Sequence, residues 1–269
     1  MLKILFVISL NSLLFFSCLS QNQETQTITK EKSQEQIIEK YFRNIALKYS
    51  LYSREREEAI DQGLTEDSTI AYLWQQKAMP LFKQGKYELG MKSLDKAVIY
   101  KKDRYQGYRG FIKCIFAKTY REAIIDLEDC KLRYGNNYEM DHTYNFYIAL
   151  SHLQLNEFEI AEQIFKEDIE SLEKEKGIDW VHHLDLFYYG ITKYEQKKYK
   201  EAVTIFEIAL KKYPEFSDAQ YYYAICLSRT DHQEKAQNVL DEAKVNAENG
   251  YTINEDNVIY ERYPYQIRW

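Results

Sequence analysis

Imidazoles and a carboxylate cluster at one place in the sequence, His182-His183 with Asp185. Histidine titrates near neutrality and is a common metal ligand, so proton transfer or metal binding would be sought there first. Adjacent residues on a helix point about 100° apart, so the two rings cannot share an ion as an i, i+4 pair would. They read as surface histidines. An enzyme built on His182, His183 and Asp185 would declare itself by bound metal in the purified protein. The Glu-rich runs (Glu55, Glu57 and Glu58; Glu170, Glu173 and Glu175) have Lys or Arg neighbours and read as solvated helix faces. The chain has no glycine-rich phosphate loop, no nucleophile elbow and no paired-cysteine motif. The sequence therefore offers no catalytic residue, no cofactor site and no metal site. Cys114, Cys130 and Cys226 are odd in number and far apart. They read as small buried hydrophobes, with a Cys114–Cys130 bridge left open in an oxidising compartment.

The elements that would position such groups are helical. With 25 Tyr, only 9 Gly and only 3 Pro, the chain favours long helices and short turns. Its net charge of −6 is mixed along the sequence and leaves no basic face for nucleic acid. Between residues 183 and 243 a helical hairpin occurs twice. Gly190 is followed 34 positions later by Ala224, Ala202 by Ala236, Phe206 by Leu240 and Ala209 by Ala243, with Tyr199 opening a second helix and Pro214 closing it. A small residue marks a close helix crossing, and the large one beside it fills the gap. A 34-residue period of this kind is a repeat signature. It resembles the tetratricopeptide repeat (TPR), which implies an all-α, right-handed α-solenoid of about six hairpins.

Read outward from there, the first hairpin is degenerate. Ile37, Ile38, Tyr41, Phe42, Ile45 and Tyr49 give an amphipathic helix, a charged helix follows over 53–64 with Gly63 in the small slot, and Asp67-Ser68 is a cap. The second hairpin, 71–104, uses Trp74, Ala78, Tyr87, Gly90, Leu94 and Ala97, with Pro80 expected to kink its first helix. The third carries Gly110, Tyr120, Ala123, Leu127 and Cys130, and its turn (116–119) holds one residue too many. The fourth carries Ala149, Phe158, Ala161 and Phe165, but Asp168 stands where a small apolar residue belongs. The interval from Ala161 to Ala202 predicts a second helix extended through 170–176 and stopped at Gly177. The aromatic segment 251–269 reads as a C-terminal cap, with Tyr260, Tyr263, Tyr265 and Trp269 against the edge of the last hairpin. Its Tyr-Pro-Tyr-Gln-Ile ending is similar to that of repeat proteins from Bacteroidetes.

In the family, first helices line a concave groove, and positions 2, 5, 9 and 12 face a ligand. The resemblance places Tyr72, Gln75, Met79 and Phe82 there in one repeat, and Leu184, Phe187, Ile191 and Tyr194 in another. The last repeat supplies Asp218, Tyr221, Ile225 and Ser228. Tyr, Phe and Met suit a peptide helix or an extended apolar segment. Gln75 and Met79 replace the Lys and Asn of the family's carboxylate clamp, which argues against chaperone-tail binding.

Residues 1–17 form a signal segment: Lys3 precedes an apolar run from Ile4 to Phe16, too short to span a bilayer as a stable helix. Leu14-Phe15-Phe16-Ser17-Cys18 resembles a bacterial lipobox, which implies lipidation at Cys18. The rival is cleavage after Ser20. Residues 18–35 are polar and are expected to form a disordered tether. The domain reading is thus signal 1–17, tether 18–35, solenoid 36–250 and cap 251–269. Function is expected to be a non-enzymatic scaffold or adaptor binding an unknown protein or peptide. The resemblance implies a lipid anchor at Cys18 on the periplasmic face of an outer membrane. The alternative is a secreted or periplasmic carrier for a small apolar or glycan ligand.

Overall fold

The computed structural model describes residues 29–269. The signal segment 1–17, Cys18 and Ser20 lie outside the described residues. The chain divides into two compact units, one ending at Pro80 and the other spanning Leu81–Trp269.

The first unit holds α1 (helical over the described residues 29–37 and continued as a wider π turn at Ile38–Arg43), α2 (Arg54–Glu66) and most of α3 (Ala71–Lys83). Its core joins Ile38, Phe42 and Ala46 to Ala59, Ile60, Leu64, Ile70 and Leu73. Gly63 lets this happen, because a Cβ there would stand 2.7 Å from Leu73 Cδ1. Ser53 caps α2 by accepting the Arg56 amide at 3.2 Å. One expectation is corrected here: residues 29–35 are helical rather than part of a disordered tether. Lys, Glu and Gln are good helix formers, and Gln34 is tied down through its carboxamide, which donates to Asp67 Oδ2 at 2.9 Å and Thr69 Oγ1 at 3.0 Å. α3 runs through Pro80 to Lys83.

The second unit is a run of antiparallel hairpins, each helix packed on the next in sequence: α4 (Tyr87–Tyr100), α5 (Lys102–Ile112), α6 (Tyr120–Tyr134), α7 (Tyr144–Gln154), α8 (Phe158–Lys176), α9 (His183–Glu195), α10 (Tyr199–Lys212), α11 (Ser217–Ser228) and α12 (Gln233–Glu248). The crossings use the small residues named above. A Cβ at Gly90 would meet the Phe82 ring at 2.5 Å, at Gly110 Leu127 Cγ at 2.6 Å, and at Gly190 the Phe206 ring at 2.6 Å. Ala123, Ala161, Ala202 and Ala209 are fully buried.

The irregular intervals have distinct physical forms. The extra residue of the third hairpin is absorbed by a π turn at Lys113–Ala117, which widens the end of the first helix and leaves the next one in register. α8 runs the expected extra length and ends at Gly177, whose φ of +93° suits glycine. Between α6 and α7 the chain makes a small ribbon, β1 (Tyr138–Glu139) against β2 (His142–Thr143), antiparallel, with Tyr138 opposite Thr143. Strands of two residues leave no periodic trace in the sequence. No helix among the described residues is long and apolar enough to cross a membrane.

Candidate functional site

The face built from first helices of the second unit is covered by the chain's own C-terminal segment. At its start the Ser217 amide donates to Tyr251 O at 2.9 Å. The segment then passes α9, where His183 Nε2 lies 3.1 Å from Asn254 Oδ1, and β2, where His142 Nε2 lies 3.3 Å from Glu255 Oε1. Further on, Tyr260 lies under Lys83 Nζ at 4.1 Å, and Glu261 pairs with Lys118 at 2.7 Å and accepts from the Tyr87 hydroxyl. The return leg is held by the buried Tyr188 hydroxyl, which donates to Pro264 O at 3.0 Å, and by Tyr265, whose hydroxyl donates to Glu195 at 2.8 Å. Tyr265 packs edge-on against Tyr222, and Trp269 edge-on against Tyr221.

Asp218 fastens both legs. Its Oδ2 accepts the Ile253 amide at 2.9 Å and its Oδ1 the Ile267 amide at 2.6 Å. The residue is completely buried. Burial raises its pKa above the ordinary carboxylate value, and the two amides pull only partly the other way. Recognition here is of peptide backbone: any residue other than proline could supply those two N–H groups. The side chains that sink with them, Ile253 and Tyr263, are 1% and 3% exposed, so the segment is embedded in the unit and does not merely cover an edge.

Beside it lies a polar cluster. His142 is 2% exposed, stacked on Phe146 with ring centroids 3.8 Å apart, and placed between Asp185 (3.2 Å from Nδ1) and Glu255. Burial alone would lower its pKa, but hydrogen bonds to the two carboxylates win and raise it to about 9. Burial would raise Glu255, and the hydrogen bond from His142 overrides this and holds it low. His182 precedes α9 and caps it: its Nδ1 accepts the Leu184 amide at 3.3 Å, and Asp185 Oδ2 accepts the His182 amide at 3.0 Å. Burial lowers both neighbouring imidazoles below the ordinary histidine value, His183 to about 4.

These positions differ from the expectation in several ways. His182 and His183 are partly buried, because the tail crosses over them. Leu184, Phe187 and Ile191 are 0% exposed and serve the core, so they offer no free groove. Phe187, for example, meets Phe206, Phe216 and Tyr222 at ring-centroid distances of 6.3, 5.1 and 6.0 Å. Phe82 is likewise buried, packed under Gly90. Tyr72, Gln75 and Met79 belong to the first unit, where Tyr72 meets Phe42 edge-on at 5.3 Å. Tyr194 packs against Tyr222 at 5.4 Å. Asp218 and Tyr221 do touch a peptide segment. Ile225, Tyr221 and Ser228 line an open cavity of about 320 Å³ between α11 and α12, together with Gln233, Gln237 and Leu240. Reading by slot missed Tyr188, His142 and Glu255. The density of aromatics in 250–269 was the one available sign that this segment is packed.

Among the described residues the thiols are all buried. Cys114, Cys130 and Cys226 are free and buried, and burial pushes them up to about 12, 11 and 12. A thiol so placed stays protonated and unreactive.

Residues 193–249 match the family model for the tetratricopeptide repeat. No curated protein matches the chain. Among solved structures, a tetratricopeptide repeat protein from Parabacteroides merdae aligns with a TM-score of 0.62 at 17% identity, over 80% of this chain and 80% of that one. PilW, a widely conserved type IV pilus biogenesis factor, aligns at 0.59 and 15%, over 82% and 94%. YrrB, a TPR protein with an unusual peptide-binding site, aligns at 0.50 and 18%, over 76% and 96%. At such identities the likeness is one of fold.

Proposed function

We propose that this tetratricopeptide-repeat protein is a non-enzymatic scaffold whose first-helix face takes a non-helical, aromatic-rich polypeptide segment. The observation that carries the reading is the tail itself: that face already accommodates some twenty residues of non-helical chain folded back on itself through turns, gripped at backbone amides by Asp218 and at aromatic side chains by Tyr221 and Tyr222. A partner segment of the same chemistry would compete with the tail for those groups. Aromatic anchors with a backbone clamp suit such binding, because few rotatable bonds are frozen for each buried ring.

The test keeps the face intact and weakens its occupant. A full-length chain carrying Tyr265→Ala and Trp269→Ala should bind a labelled peptide of residues 250–269 at least tenfold more tightly than wild type in fluorescence anisotropy. Adding Asp218→Ala should remove that binding. Equal, negligible binding by wild type and the tail variant would sink the proposal.

The same reading includes a membrane tether at Cys18, supported by the lipobox-like Leu14–Cys18 run, and a place on the periplasmic face of an outer membrane, supported by Leu19 rather than Asp after that cysteine and by the lack of an acidic run there. Labelled palmitate should enter the protein. Its failure to do so, with the protein appearing in the medium, would favour the secreted carrier.

A further inference from the structure

The cluster that joins the tail to β2 and α9 has the donor set of a metal centre. His142, His182 and Glu255 each offer one ligand atom, and these atoms lie within 4.8 Å of one another. We propose that the three form a divalent-metal site of the zinc class that staples the tail onto the first-helix face. This goes beyond peptide binding and does not depend on it.

Three observations support the assignment. First, ligands about 2.0–2.1 Å from a tetrahedral zinc ion stand about 3.3 Å from each other. His142 Nε2 and Glu255 Oε1 are 3.3 Å apart as they stand, so only His182 has to close in. Second, the far nitrogen of His142 lies 3.2 Å from Asp185 Oδ1. A metal-bound histidine characteristically donates its other N–H to a carboxylate, which fixes the tautomer and aims the ring. Stacking on Phe146 fixes the ring plane as well. Third, the charges balance. The ion takes the place of the proton on His142 Nε2, and the two positive charges are matched by Glu255 and Asp185. Two imidazoles and one carboxylate are ligands for zinc and its first-row neighbours rather than for calcium or magnesium, which prefer oxygen.

The site has a definite cost. Whichever nitrogen of His182 binds, its Nδ1 stops accepting from the Leu184 amide: bound through Nδ1 the lone pair is used, and bound through Nε2 the proton moves to Nδ1. That capping bond is long, at 3.3 Å, and the other half of the cap, from the His182 amide to Asp185, is untouched. Three protein ligands leave a fourth position for water or for a donor from a partner.

The experiment uses the full chain, stripped with chelator and titrated with zinc by calorimetry and with cobalt by visible absorption. One equivalent should bind, with the intense d–d bands of a tetrahedral cobalt site. His182→Asn, which retains a capping side chain, and Glu255→Gln should each weaken zinc binding at least tenfold. Circular dichroism of His182→Asn should remain that of wild type. Zinc should slow proteolysis within 251–269 in wild type and leave both variants unaffected. No saturable binding, affinities equal in wild type and variants, or a tail cut equally fast with and without zinc would each overturn the proposal.

Discussion

The hairpins α9–α10 and α11–α12 and the stretch from residue 135 to 182 solve one packing problem by different means. In the regular hairpins shape does the work. Gly190 admits the Phe206 ring, Ala202 and Ala209 flank it, and all three of the latter are fully buried. In the irregular stretch Ala161, Phe165 and Asp168 occupy the slots of Ala202, Phe206 and Ala209, and the third slot is a carboxylate. Asp168 is 2% exposed and accepts from Asn136 and Thr143 at 2.6 Å each and from Asn145 at 3.4 Å. The loop that departs from the period is thus held by the residue that departs from the pattern. Where the repeat keeps its length, apolar complementarity suffices. Where it gains residues, the added backbone needs polar partners, and the helix beneath supplies one.

The comparison breaks most sharply at one buried residue in each region. Phe206→Ala should cost about 3–5 kcal/mol, since a fully buried ring leaves a cavity between helices that cannot close on it. Unfolding by urea would measure it. Asp168→Ala should cost less, about 2–3 kcal/mol, from the donors left without an acceptor. Its signature should also be local: amide exchange should accelerate in residues 136–145 well before it does in α9–α12. Uniform loss of protection in both regions would mean that Asp168 supports the whole unit and that the contrast drawn above is false.

How much of this was legible follows the same division. The close crossings at Gly63, Gly90, Gly110 and Gly190, the length of α8 and its stop at Gly177 could all be read from spacing, because contacts between consecutive helices repeat at fixed offsets. The surplus residue before Thr119 was visible as a surplus, though not as the π turn it becomes. Asp168 was visible as an exception, without its partners. Nothing in the sequence could pair His142 with Glu255, 113 positions apart. Groove positions carried over by slot number assumed an open face. Leu184, Phe187 and Ile191 had the right slots and the wrong surroundings, because a non-repeating tail covers that face and core packing takes the rest. Asp218 and Tyr221 stand on the part of that face which the chain's own tail occupies.

The smallest effect, and the most selective, concerns Glu162, through which α8 leaves its polar mark on the regular hairpins. Its carboxylate accepts from Lys193 at 2.6 Å, Lys198 at 2.8 Å and Gln196 at 2.6 Å. Burial would raise its pKa, but these bonds hold it down to about 2, against an ordinary 4.5. A carboxylate held low in the folded state contributes stability above its unfolded value and loses it as the pH falls through the folded one. Wild type should therefore lose stability between about pH 4.5 and pH 2 through this group, and Glu162→Gln should flatten that part of the profile. At pH 7 the variant should be less stable by about 1–2 kcal/mol. The loss is limited because Lys193 keeps Glu201 at 2.6 Å. Thermal melts at half-unit pH steps decide it. Parallel acid profiles for wild type and variant would show that the regular hairpins hold α8 by shape alone, and the polar tie would then be confined to residues 135–145.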